Sequence, residues 1–285
     1  MIMDGVNISN TNAASTRGIS GFHLKVIAVI SMFIDHLGAT VVYGLMTASY
    51  GMTSGTQVSG GMEQVLIWIR NHWDTMWSVY DSMRLIGRIA FPIYCFLIVE
   101  GFLHTRNVGK YALRLGIFAL ISEIPFDLAF NEGWWDMSSN NVFFTLLIGL
   151  LVVWGISYIQ KAYVQCVEKN WNMYLMRALE ILAVLLIVCI GGYIANRVLC
   201  TDYGAAGVVT IVIMYLYRKK PWMAFLLAVM VLTLMTNSSE LVAIVGAVLV
   251  CYYNGTRGKN IKYFFYAFYP VHLLLLWLIT VLLGV

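Results

Sequence analysis

The chain has 285 residues, of which 60% are hydrophobic and 11% charged, against roughly half and about a quarter in an ordinary soluble domain. So few charges cannot coat a protein of this size; a soluble globular enzyme, a disordered chain and a nucleic-acid-binding protein are excluded, and lipid is the expected solvent. The net charge of +4 says little about partners, because membrane proteins gather Lys and Arg in cytoplasmic loops for topological reasons.

Apolar runs near the bilayer-spanning length of about 20 residues recur along the chain. Nine are marked, at 22–43, 84–103, 111–130, 142–160, 174–194, 204–217, 221–236, 239–254 and 261–284, the sixth to eighth being short. Barrel strands would show about ten-residue alternation, which is absent. The polar tail 1–21 precedes a first run containing Asp35 and His36, which argues against a cleaved signal peptide. The segment 44–83 has Gly51, Gly55, Gly60 and Gly61 in its first part and Trp68, Trp73 and Trp77 in its second. It reads as an external flexible loop followed by an interfacial helix, with a lid over a cavity as the alternative.

Of 18 Lys and Arg residues, 14 fall at the N-terminal tail and alternate loops. The positive-inside rule then places the N-terminus in the cytoplasm and the C-terminus outside. The expected fold is all-α: one polytopic domain over residues 22–285 with about nine transmembrane helices and no transporter-like internal repeat. Cys95, Cys166, Cys189, Cys200 and Cys251 show no CxxC spacing and read as small hydrophobes, without a disulfide framework or a metal site.

Ionisable residues inside spans are costly and become site candidates. In FHLKVIAVISMFIDHLG (22–38), Lys25 and His36 are eleven residues apart, which aligns them on one helix face about 16 Å apart. Lys25 alone reads equally as a snorkelling interface residue, and His36 as an interhelical hydrogen-bonding histidine. In KYFFYAFYPVHLLLLWL (262–278), His272 lies at similar depth, one turn after Tyr269, beside Pro270. Arg84 and Arg88 in RLIGRIAFPIYCFLIVEG (84–101) and Glu123 and Asp127 in SEIPFDLAF (122–130) are i, i+4 pairs, and adjacent antiparallel helices would bring these opposite charges together. Glu100 is expected to meet water near the cytoplasmic end. Asn140, Asn141, Thr145, Asp202 and Tyr203 complete an external polar set. No HExxH, GxSxG or phosphate-loop signature appears.

The segments RGISGFHLKVIAVISMFIDHLG (17–38), RLIGRIAFPIYCFLIVEGFLHTRNVGKYALRL (84–115), ALISEIPFDLAF (119–130), NVFFTLLIG (141–149), DYGAAGV (202–208) and FYAFYPVHLLLLWLI (265–279) resemble the TraX family, whose namesake N-acetylates pilin subunits of a conjugative plasmid. That family is similar to the transmembrane acyltransferases of acyltransferase family 3, whose hallmark is a basic residue, ten intervening residues and a histidine in the first span. Lys25 and His36 match that spacing.

The resemblance implies that Lys25 contacts the phosphates of cytoplasmic acetyl-CoA and that His36 is the catalytic base, with Asp35 or a neighbouring carboxylate orienting it. Arg106, Lys110 and Arg114 would join Lys25 at an anion-binding mouth. Arg88 or His272 would stabilise the thioester oxyanion. Glu123, Asp127, Asn141, Asp202, Tyr203 and Tyr269 would meet an amine or hydroxyl acceptor from outside, a peptide such as a pilin N-terminus or a glycan. The expected co-substrate is acetyl-CoA without a metal; the expected surroundings are the lipid bilayer of the cell membrane, without nucleic acid. Attack could be direct or through an acetyl-histidine. The alternatives are a proton-coupled secondary transporter, for which buried His and Asp are equally expected, and a non-catalytic subunit of an envelope or conjugation system.

Overall fold

Each of the nine apolar runs is helical, and the helices extend beyond several of the predicted ends. The computed structural model describes residues 18–51, 61–131, 133–259 and 261–285. Arg17 with the rest of the tail, and Gly55 and Gly60, lie outside the described residues. Helix makes up 82% of the described residues, and no strand forms among them.

The first helix, α1 (Gly21–Leu37), runs through a π-helical turn (Gly38–Val42) into α2 (Tyr43–Gly51). It is followed by α3 (Gly61–Asn71), α4 (Trp73–Gly87) and α5 (Ala90–His104), and then by α6 (Val108–Phe130), α7 (Val142–Glu168) and α8 (Met173–Tyr193). The C-terminal part comprises α9 (Gly204–Leu216), α10 (Pro221–Met235), a 3-10 turn (Ser238–Ile244) leading into α11 (Val245–Cys251), and α12 (Lys262–Leu283).

Among the described residues, five helical segments are long and apolar enough to cross a membrane: Gly21–Gly51, Trp73–His104, Val142–Glu168, Met173–Val198 and Tyr263–Leu283. Gly204–Leu216, Pro221–Met235 and Ser238–Cys251 are apolar but shorter. Helix α6 has 23 residues but carries Lys110, Arg114, Glu123 and Asp127, more ionisable groups than a lipid-facing span tolerates.

In segment 44–83 the second part is helical as expected, and the first part departs from the loop expectation over its described residues 44–51. The segment's described residues are almost entirely helical: α2 prolongs the first helix to Gly51, and α4 runs into the second predicted span. Between them α3 packs on α2 and buries Leu66 and Ile69 while Trp68 stays exposed, the pattern of a helix with one wet or interfacial face.

Helices α1, α5, α6, α7, α9 and α12 surround a core rich in Leu, Ile, Val and Phe. Helix α6 packs on α12 and α7, whereas α5 packs on α1 and α9. The consecutive helices α5 and α6 therefore do not lie along one another, and α4 packs on α1 and the 3-10 turn, which decides the ion pairing below. Glycines let backbones approach closely, as small residues do in membrane bundles: a Cβ on Gly149 would run into Ile211 of α9, and one on Gly207 into Thr145 of α7.

Candidate functional site

One end of the bundle collects four basic side chains. Lys25 stands one turn into α1, Arg106 in the turn between α5 and α6, Arg114 on α6, and Arg257 in the segment before α12. Residues 19–21 are tied to that segment by Ile19 N–H to Tyr252 O (2.8 Å), Asn254 N–H to Ile19 O (3.0 Å) and Gly21 N–H to Thr256 O (2.8 Å). The start of α1 and the approach to α12 are thus held side by side. Asn107 caps α6 by accepting from the Lys110 N–H at 2.8 Å, which fixes the turn carrying Arg106.

These residues rim a cavity of about 660 Å³ whose lining includes Lys25, Glu100, Arg106, Arg114, Tyr253 and Arg257. The volume falls within the usual range for small-molecule and cofactor pockets. Its inner wall is formed by Met32, Phe143, Leu146 and Tyr269. Lys110 does not line it. Glu100 is not simply in water: it accepts from the Tyr253 hydroxyl at 3.0 Å.

The inner wall adjoins the two histidines. Met32 is one turn before His36, and the Tyr269 ring is 5.9 Å from the His36 ring. Helices α1 and α12 bring His36 Nδ1 to 2.7 Å from His272 Nε2, with the rings coplanar to within 3°. His272 Nδ1 lies 2.7 Å from the Phe268 carbonyl oxygen. Phe33 and Phe268 flank His272, Phe130 flanks His36, and His272 is buried. Immediately beyond His36 the helix widens into its π turn, where Thr40 Oγ1 donates to the His36 carbonyl at 2.7 Å. Such widened turns recur at functional sites.

Asp35 does not orient His36. Successive helical residues point about 100° apart, and Asp35 turns instead to Arg84 of α4, at 3.0 Å. Gly87 lets α4 approach there, since a Cβ would fall on the Asp35 carboxylate. The Ser31 hydroxyl donates to the Ile86 carbonyl beside it.

The expected pairing of Arg84 and Arg88 with Glu123 and Asp127 is also overturned, because Arg84 lies on α4 and Arg88 just after it, and α4 packs on α1 and on the 3-10 turn that carries Glu240, not along α6. Arg88 donates to Glu240 at 3.1 Å and to the Tyr203 hydroxyl at 3.4 Å, and Tyr203 stacks on Phe91 at 3.7 Å. Glu240 was missed as a partner; its one signal is a lone acid at the start of the apolar run 239–254.

Glu123 accepts from the Asn141 backbone N–H at 3.3 Å and from its side-chain amide, while Asn141 caps α7 through Phe143 N–H at 3.0 Å. Asp127 accepts from Asn131 Nδ2 and from the Asp136 N–H, each at 2.9 Å. In the same loop, the Ser138 N–H and hydroxyl hold the Asp136 carboxyl below its usual range. Thr145 donates to the Asp202 carbonyl and its hydroxyl oxygen lies in hydrogen-bond contact with the Thr201 hydroxyl at 2.8 Å, clasping α7 to the turn before α9. The residues expected at the acceptor therefore divide into this loop clasp, the Arg88–Tyr203–Glu240 cluster, and Tyr269 at the cavity. Among the described residues no group of three or more His, Cys, Asp or Glu side chains could hold a metal ion.

Fold and site together define a helical membrane protein with a basic-mouthed cavity whose inner wall adjoins a histidine pair, His272 of it buried. The family model described as TraX protein matches residues 20–280, and the chain belongs to that family. A relative from Dichelobacter nodosus, described as "Probable fimbrial assembly protein FimC, serogroup H1", is 28% identical over 282 residues, covering 90% of this chain and 94% of the relative. No solved structure matches.

Proposed function

We propose that the protein is a membrane-embedded acyltransferase that moves an acetyl group from cytoplasmic acetyl-CoA to an amine or hydroxyl acceptor presented from the opposite side. The observation that carries this reading is the cavity, which has four cationic side chains at its mouth and the wall beside His36 at its inner end. In this reading about nine helices cross the bilayer, with the N-terminus cytoplasmic and the C-terminus outside. The anionic coenzyme head cannot enter lipid and stays among Lys25, Arg106, Arg114 and Arg257, where charge-assisted bonds to phosphate are available. The thioester arm extends inward along α1 over the roughly 16 Å that separate Lys25 from His36.

The chemistry needs one base and one pre-formed geometry. The acceptor N–H or O–H attacks the thioester carbonyl, His36 takes the proton, the C–S bond breaks, and the proton passes to the departing thiolate. Histidine suits the task because its ordinary pKa lies near working pH. The link to acyltransferase family 3 rests on the Lys25–His36 spacing. The name of the Dichelobacter nodosus relative makes a fimbrial or pilin N-terminus the first acceptor to try. Mass spectrometry of surface peptides and glycans, from cells with and without the gene, tests the proposal. It predicts an acetyl increment of about 42 Da on one acceptor, lost on deletion and restored by the parent but not by His36→Ala; identical spectra contradict it.

A further inference from the structure

A carbonyl oxygen offers lone pairs and no proton, so a ring nitrogen bonded to one must carry the hydrogen. His272 Nδ1 is 2.7 Å from the Phe268 carbonyl oxygen and is therefore the protonated nitrogen. In a neutral ring the other nitrogen is then bare. That bare His272 Nε2 is 2.7 Å from His36 Nδ1, so the proton between the two rings belongs to His36. Neutral His36 consequently has its hydrogen on Nδ1 and a free lone pair on Nε2, which makes no hydrogen bond to another described residue.

The surroundings favour the neutral pair. Phe33, Phe268 and Tyr269 surround His272, and Phe130 and Tyr269 lie against His36. Among the described residues no carboxylate bonds to either ring. The neighbouring Asp35 is held by Arg84 on a different face of α1. A proton added to His272 would leave an unpaired charge among aromatic rings, which is costly in a low-dielectric interior.

We propose that His272 is a positioning residue: bonded through Nδ1–H to the Phe268 carbonyl, it holds His36 as the Nδ1–H tautomer and leaves His36 Nε2 as the proton-accepting nitrogen. The proposal rests on the acyltransferase reading for its catalytic meaning, while the tautomer itself is read without activity. The arrangement parallels the use of a second group to set the tautomer of a catalytic histidine, with an imidazole and a backbone carbonyl in place of a carboxylate. When His36 accepts the acceptor's proton, its Nδ1–H bond to His272 becomes charge-assisted and shares the developing charge.

The test is nitrogen-15 NMR of the full chain, labelled on histidine, in lipid nanodiscs, with His36 and His272 assigned by the signals lost in single variants. The proposal predicts that both rings of the parent carry their hydrogen on Nδ1. It predicts that His272→Leu moves His36 toward the Nε2–H form and that His272→Gln, whose amide oxygen can accept, preserves Nδ1–H. A parent spectrum with His36 protonated on Nε2, or His272 protonated on both nitrogens, overturns it even if the variants do not fold. So does a His36 tautomer unchanged in folded His272→Leu.

Acetyl transfer is measured on the same samples. His272→Leu is expected to lower kcat by about 100-fold with KM for acetyl-CoA within about twofold, and His272→Gln to recover most of it. The predicted tautomers in a protein that transfers no acetyl group support the positioning role and overturn the acyltransferase reading. An active protein with the opposite tautomer does the reverse.

Discussion

Arg88 and Glu240 are joined at 3.1 Å, with Glu240 almost fully buried. A charge left without its partner in such a place is more costly than the intact pair is favourable. Glu240→Leu should lower stability by about 2–4 kcal/mol, while Arg88→Met with Glu240→Leu should recover more than half of that loss. Thermal unfolding of detergent-solubilised protein measures both, and additive losses would contradict the pairing. At this scale the sequence was legible where helical geometry alone sets the outcome: the eleven-residue step from Lys25 to His36, and the equal depth of His36 and His272. It was misleading where an outcome depends on which helices are neighbours. Asp35 sits next to His36 in the chain but faces Arg84, and Arg88 reaches an acid 152 positions away.

The runs of apolar residues made the helices legible because their length is set by the bilayer. Their packing was not legible, since runs of nearly uniform hydrophobicity carry no pattern saying which face meets which neighbour. Close approaches at glycines supply some of that information. A Cβ on Gly207 would lie 2.9 Å from Phe91 Cζ and 3.1 Å from Tyr203 Cβ. Gly207→Ala should therefore cost about 1–3 kcal/mol through overpacking and loosen the Tyr203–Arg88 contact. Gly116→Ala, whose nearest neighbour would be Leu147 Cδ2 at 3.6 Å, should leave stability within about 0.5 kcal/mol. Unfolding midpoints of the two variants separate the close approach from a general intolerance of helix substitutions. In segment 44–83 the interfacial helix of the second part was legible from its Trp residues, but the helix α2 up to Gly51 was not, because Gly51 beside polar residues reads as a turn signal, whereas α2 and α3 find each other as packing partners.

At the scale of the molecule, α1 links the two ends of the proposed reaction, with Lys25 at the cavity mouth and His36 beside the inner wall. Arg257 comes from a loop that sequence reading assigned only to topology; its tie to residues 19–21 makes it a fourth cation at the mouth. If phosphates dock there, Lys25→Ala, Arg114→Ala and Arg257→Ala should each raise KM for acetyl-CoA by about tenfold or more and leave kcat nearly unchanged. Lys110→Ala, outside the lining, should change KM by less than about twofold.

The central claim is that His36 acts on a thioester bound in this cavity. The most direct measurement is the rate at which purified protein in nanodiscs, supplied with acetyl-CoA and a short acceptor peptide with a free N-terminal amine, releases free CoA thiol and acetylates the peptide. The account predicts matched release and acetylation in the parent, and a fall of about 100-fold or more in kcat for His36→Ala with binding of acetyl-CoA retained. Parent protein that neither binds nor cleaves acetyl-CoA, or a His36→Ala variant as fast as the parent, would contradict it.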